Sequence, residues 1–276
     1  IGAGCPTILK PSERTPVSSD ALVRICERHL PVGVIGHIIG DGQVITNALI
    51  DDPRVAAVTF TGSTPIGTLI AERAGRSLTR TCLELGGRAP FIVRRDADAD
   101  DAVEHLMVAK LRNNGESCIA ANTVFVHSSL AEEFREVLAS RIEATRPGAQ
   151  TDAEVDFGPL IDEAAVERLT DLVERAERSG SRVVRGKSGP EHGAFMAAAL
   201  VEDARGTELY EQEIFGPVIA LVTYEDEAAV VEEINGWGVG LAGYVCGRDL
   251  AAAEDLADSL RIGIVGINNG APNTPE

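Results

Sequence analysis

Val55-Ala56-Ala57-Val58-Thr59-Phe60 runs without a break into Thr61-Gly62-Ser63-Thr64-Pro65-Ile66-Gly67. The first six residues are apolar and rich in β-branched side chains, the composition of a buried strand. Gly62 marks a turn, and Ile66, Leu69 and Ile70 follow at helical spacing. A strand that feeds straight into a helix is the repeating unit of an α/β fold. The alternation extends both ways. Upstream lie a strand at 7–9, a helix opening at Thr15-Pro16 with apolar positions Val17, Ala21, Leu22 and Ile25 and running up to Pro31, a strand at 34–39 and a helix at 43–51. Downstream, strands at 91–93, 123–126 and 182–184 alternate with helices at 97–112, 130–144 and 162–179. Segments 218–223, 228–234, 241–246 and 250–260 continue the pattern, and 146–157 reads as a loop. The expected fold is α/β with largely parallel sheets.

Of the 276 residues, 44% are apolar, 25% charged and 4% aromatic, a globular composition with enough chain for one large or two smaller domains. No apolar run approaches the roughly 20 residues of a membrane span. Forty-three acidic against 25 basic residues give a net charge of −18, which repels polyphosphate and argues against nucleic acid as a partner. The five cysteines are widely spaced and include neither a CxxC pair nor a histidine cluster, so no metal site is expected and a reducing, cytoplasmic compartment fits. The chain opens on Ile1 and stops shortly after the apolar run at 262–267. This suggests a piece of a longer protein.

Several motifs carry chemistry. The Gly62-Ser63 turn brings backbone N–H groups to the start of a helix, where an anion such as a pyrophosphate is favoured, although neither GxGxxG nor a Walker lysine is present. Cys118 lies in Asn113-Asn114-Gly115-Glu116-Ser117-Cys118, between a helix and a strand. Two readings stand: a partly exposed, ionisable thiol in a polar loop, or a small buried hydrophobe. Glu84, between Leu83 and Leu85 and ahead of Gly86-Gly87, reads as a carboxylate in an apolar surround suited to general-base work, or as a strand-end residue facing water. Lys10 and Glu13 follow the first strand at the carboxyl edge where α/β sheets bind ligands. Glu213-Ile214-Phe215-Gly216-Pro217 sets a carboxylate and an aromatic ring ahead of a tight turn.

Taken in order, Lys10-Pro-Ser-Glu13, Phe60-Thr-Gly-Ser63, Leu83-Glu84-Leu-Gly-Gly87, Asn114-Gly-Glu-Ser-Cys118 and Glu213-Ile-Phe-Gly-Pro217 resemble the aldehyde dehydrogenase superfamily over essentially the whole chain. The resemblance implies that Cys118 is the nucleophile, forming a thiohemiacetal and, after hydride transfer to nicotinamide, a thioester. Glu84 matches the general base of deacylation. Lys10 and Glu13 match adenosine-ribose ligands, Gly62 and Ser63 pyrophosphate contacts in a Gly62–Gly67 turn, Leu85 a further cofactor contact, and Glu213 with Phe215 the groups at the nicotinamide riboside. Glu13 favours NAD over NADP. Arg112, six residues before Cys118, matches an arginine that grips the far carboxylate of succinic semialdehyde, which makes a small semialdehyde the expected substrate. Glu116 replaces a commoner glutamine.

The implied division is the end of an NAD-binding domain over residues 1–86 and a catalytic domain over 87–276. The resemblance further implies an oxyanion-hole asparagine ahead of Ile1, a closing segment beyond Glu276, and a homo-oligomeric whole protein. Two other readings of the residues stand: a non-catalytic relative that kept the fold, and a thiol hydrolase or esterase using Cys118.

Overall fold

The computed structural model describes residues 1–273. They separate into two compact units, one of Ile1–Leu85 and one beginning at Gly86. No helix among them is long and apolar enough to cross a membrane.

The first unit runs β1 (Thr7–Leu9), α1 (Pro16–Glu27), β2 (Ile35–His37), α2 (Gly42–Asp51), β3 (Ala57–Thr61), α3 (Thr64–Gly75) and β4 (Arg80–Glu84). β1 pairs with β2 and β3 with β4, both in parallel. Pro16 opens α1 at its first turn, as expected, but Thr15 makes no side-chain cap bond. The apolar face read from the sequence is not the buried one. Among the described residues Val17, Leu22 and Ile25 are exposed and Val23 is buried. β3 likewise alternates, with Val58 and Phe60 turned in and Ala57, Thr59 and Thr61 out, so it is half-buried rather than buried. Its inward residues pack with Leu83 against Ile50, Ile70 and Ala74 of α2 and α3. β4 has no sequence signature because only Leu83 among its five residues turns inward.

The second unit runs β5 (Pro90–Val93), α4 (Ala99–Leu111), β6 (Thr123–His127), α5 (Ala131–Ala144), α6 (Glu163–Arg178), β7 (Val183–Arg185), β8 (Ala199–Glu202), α7 (Glu208–Glu211), β9 (Val218–Tyr224), α8 (Glu227–Asn235), β10 (Ala242–Cys246), α9 (Leu250–Ser259) and β11 (Ile264–Ile267). Seven strands form one sheet in the order β11-β10-β5-β6-β9-β8-β7, parallel except for β7 against β8. The central strands β5, β6 and β10 are buried at every position, as a parallel sheet covered on both faces requires. Phe91, Val93, Val124 and Val126 face α4 and α5, while Ile92 and Phe125 face α6 to α9. Aspartates cap α4, α6, α8 and α9, each accepting from first-turn N–H groups. β8 escapes the sequence reading because it is four residues long with no turn signal in the alanine-rich run before it.

Phe134 on α5 is fully buried in the α4–α5 layer, whereas Val17 is exposed. Phe134→Ala is expected to cost about 3–5 kcal/mol and Val17→Ala under about 0.5 kcal/mol, read from urea midpoints.

Candidate active site

The strand order of the second unit decides what comes together. β5, β6 and β9 are adjacent and parallel, so the loops entering them share one edge of the sheet. Those loops carry Gly86-Gly87 ahead of β5, Cys118 ahead of β6 and Glu213–Pro217 ahead of β9. The thiol therefore sits at the amino-terminal edge, opposite to the carboxyl edge at which α/β sheets commonly bind ligands.

The Cys118 loop is tightly specified. α4 stops at Leu111, and Asn113, Asn114 and Gly115 then take three successive left-handed conformations (φ 51°, 61° and 75°). Only side chains that bond locally tolerate such a run. Asn113 donates to the Glu116 carbonyl at 2.8 Å. Asn114 donates to the Pro159 carbonyl at 2.8 Å and accepts from the Gly158 N–H at 2.7 Å. Gly115 is obligatory, since a Cβ there would lie 2.3 Å from the Gly216 carbonyl oxygen. Glu116 accepts from the Ile161 N–H at 3.2 Å, and burial pushes its carboxyl above the usual range. Glu116 thus joins Asn114 in anchoring the loop to the segment ahead of α6. Cys118 itself is half-buried and free of any disulfide.

Next to it stand two groups of opposite character. Tyr244, fully buried on β10, donates to the Ile119 carbonyl at 2.6 Å. Burial pushes its phenol up to about 12, with Arg112 pulling it down and Cys118 pushing it up, so all three share one electrostatic neighbourhood. Arg112 is exposed and donates to Asn273 Oδ1 at 3.1 Å. Among the described residues it has no carboxylate partner, despite the chain's surplus of acids.

Glu213 occupies a built recess. Asn122, 2% exposed, donates to the Gln212 carbonyl at 3.2 Å and accepts from the Ile214 N–H at 2.7 Å, which presents the residue between them. Glu213 Oε1 accepts from the Gly87 N–H at 3.3 Å. A Cβ on Gly86 would lie 2.0 Å from Glu213 Oε2, so the glycine pair exists to let the carboxylate in. Burial pushes the Glu213 carboxyl up, opposed by the Gly87 N–H, Lys110 and Arg168. Phe215 has left-handed backbone (φ 52°) and a partly exposed ring, an arrangement held against local strain.

In the first unit, Lys10 and Glu13 follow the carboxyl end of β1, and Gly62 and Ser63 that of β3. Lys10 donates to Glu13 Oε1 at 2.8 Å, so the two ribose candidates pair with one another. That bond, with backbone N–H groups of Glu13 and Gly42, holds the Glu13 carboxyl below the usual range. A Cβ on Gly42 would fall 3.3 Å from Glu13 Oε1 and 3.4 Å from Lys10 Nζ. Ser63 begins α3 with its hydroxyl not bonded to the helix, and Gly62 donates to the Glu84 carbonyl at 3.0 Å. Two expectations are corrected. Gly67 belongs to α3 rather than to a turn, and its missing side chain admits Leu85, whose Cδ2 would lie 2.4 Å from a Cβ there. Glu84 is exposed rather than enclosed by its leucines, because side chains alternate along β4 and Leu83 takes the inward position.

Sequence reasoning missed Asn122, Tyr244, Lys110 and Arg168. Each sits inside a regular element or next to one, where its side chain looks structural until the strand order is known. Only Asn122, the polar last residue of the thiol motif, carried a signal.

The whole chain, residues 1–276, matches the model of the aldehyde dehydrogenase family. It is 38% identical over 273 residues to succinate-semialdehyde dehydrogenase [NADP(+)] GabD of Escherichia coli, covering 98% of this chain and 57% of that protein. It is 36% identical over 271 residues to glutarate-semialdehyde dehydrogenase of Pseudomonas putida, covering 98% and 56%. Among solved structures, an NADP-dependent enzyme of E. coli superposes with a TM-score of 0.92 at 38% identity, over 97% of this chain and 56% of that one. Betaine aldehyde dehydrogenase of Staphylococcus aureus in complex with NAD+ does so with 0.91 at 28% identity, over 99% and 55%. The chain thus spans little more than half the length of these relatives. With an α/β fold and a parallel-dominated sheet in common with them, it belongs to the aldehyde dehydrogenase family.

Proposed function

We propose that the full-length protein oxidises a short semialdehyde to the carboxylic acid with NAD(P), using Cys118 as nucleophile. The observation that carries this reading is the convergence of Gly86-Gly87, the Cys118 loop and the Glu213 turn on one edge of three adjacent parallel strands. Names among the relatives, semialdehyde dehydrogenases of succinate and glutarate, support the substrate class. Five free cysteines support a reducing, cytoplasmic setting.

The residues present fit a dinucleotide. Gly42 leaves open the space beside Lys10 and Glu13 that a side chain would fill, which suits a ribose and its hydroxyls. Ser63, with a free hydroxyl at the start of α3, suits the pyrophosphate, and recessed Glu213 with Phe215 suits the nicotinamide riboside. When bound, NAD(P) supplies the acceptor for hydride leaving the substrate carbon.

Cys118 Sγ, as thiolate, adds to the aldehyde carbon, and the carbonyl electron pair moves onto oxygen. The Cys118 backbone N–H supports that oxyanion. Loss of hydride from the same carbon leaves the acyl group on sulfur as a thioester. Glu84, at the exposed end of β4, then takes a proton from water as the water oxygen attacks the acyl carbon. The carbon–sulfur bond breaks, and the acid and a regenerated thiolate part. Arg112, with no carboxylate partner among the described residues, holds the far carboxylate of the substrate.

Three outcomes test this. In the full-length protein, Cys118→Ala abolishes aldehyde-dependent cofactor reduction while NAD binding persists; retained reduction excludes the thiol mechanism. Arg112→Ala lowers kcat/KM for succinic semialdehyde about 10- to 100-fold but leaves an uncharged aldehyde of similar length within about twofold. Equal losses on both would refute the clamp. Glu13→Ser raises NADP use relative to NAD, since the carboxylate repels a 2′-phosphate and its removal frees Lys10; an unchanged cofactor ratio sinks that assignment.

A further inference from the structure

Lys110 is the one lysine buried completely among the described residues, and its Nζ meets no hydrogen-bond partner there. It stands in the last turn of α4, eight residues before Cys118, where a lysine ordinarily reaches water or bonds to the helix's final carbonyls. It does neither. An ammonium so enclosed is costly unless an opposite charge compensates it. The acid that acts on it is Glu213, and the influence is mutual: Glu213 raises the Lys110 pKa, and Lys110 lowers that of Glu213. The other cation facing Glu213 is Arg168 of α6, which donates to the Ile214 carbonyl at 2.7 Å and so is already engaged with backbone. Gly87 thus donates to this carboxylate, Asn122 fixes the backbone on either side of it, and buried Lys110 acts on it by charge alone, with no hydrogen bond between them.

We propose that Lys110 is a positioning residue for the cofactor, its buried ammonium holding Glu213 ionised and seated against Gly86 and Gly87 so that the carboxylate can accept from nicotinamide ribose hydroxyls. This rests on the reading of Glu213 as a cofactor ligand. Burial brings Lys110 down to about 7, against the pull of Glu213, so its charge is present below that pH and lost above it. Loss of the proton removes the counter-charge of Glu213. Cofactor affinity therefore falls as pH rises through neutrality.

The test is direct NAD binding to the full-length protein from pH 6 to pH 9, for wild type, Lys110→Met, Glu213→Gln and the double variant. Methionine keeps the stem's volume and removes the charge. Expected are a wild-type dissociation constant that rises severalfold across pH 7, a flat profile in Lys110→Met with about tenfold weaker binding at pH 6, and no further loss from Lys110→Met in the Glu213→Gln background. A Lys110→Met profile that follows wild type, or additive losses in the double variant, overturns the proposal. Should Lys110→Met fail to give a cooperative melt, wild type against Glu213→Gln decides it. A pH-dependent wild type with a flat Glu213→Gln supports the coupling, and a flat wild type refutes it. Unchanged NAD affinity in Glu213→Gln at every pH instead refutes the ligand reading of Glu213 itself.

Discussion

The side-chain amide of Asn122 ties the second unit's functional edge together. One planar group gives a donor to Gln212 and an acceptor to Ile214, while its own backbone N–H and C=O bond to Ala89 and Ala220 on either side. Loops belonging to three strands are thereby held by a single buried residue. If the amide were lost, the buried Ile214 N–H would be left without its partner, a larger penalty than the net value of the bond itself. The end of the thiol motif and the Glu213 turn are consequently hydrogen-bonded to one another. Gly115 and Gly216, packed backbone to backbone, close the same seam from the other end.

Electrostatics in this region run against the chain's average. The net charge is −18, yet Lys110, Arg112 and Arg168 cluster around the thiol loop and the Glu213 turn. The negative surplus of the whole sequence thus coexists with a locally cationic neighbourhood. Arg112 expresses this most directly: with acids abundant on the surface, it pairs with a neutral asparagine.

Much of the architecture was legible in the sequence because its central strands are unbroken apolar runs. β5, β6 and β10 could be read from composition alone. β4 could not, since four of its five side chains face out, and β8 was too short to stand apart from its neighbours. In the first unit, apolar residues such as Val17, Leu22 and Ile25 predicted burial and are exposed among the described residues. For the site, Cys118, Glu213 and the glycines announced themselves through local backbone demands. Lys110, Tyr244 and Arg168 did not, because a lysine or tyrosine on a regular element acquires meaning only from what the strand order brings beside it. Glu84 was read as enclosed by its leucine neighbours, which point the other way.

Asn114-Gly115 is the dipeptide most prone to spontaneous deamidation, in which the glycine nitrogen attacks the asparagine side-chain carbonyl and closes a succinimide. Here both ends of that side chain are engaged, the nitrogen with Pro159 and the oxygen with Gly158. Cyclisation would require breaking both bonds and swinging the amide out of its seat. The contacts that shape the loop thus also preserve it chemically, so that ageing of this asparagine tracks how often the loop opens rather than the intrinsic rate of an Asn-Gly peptide.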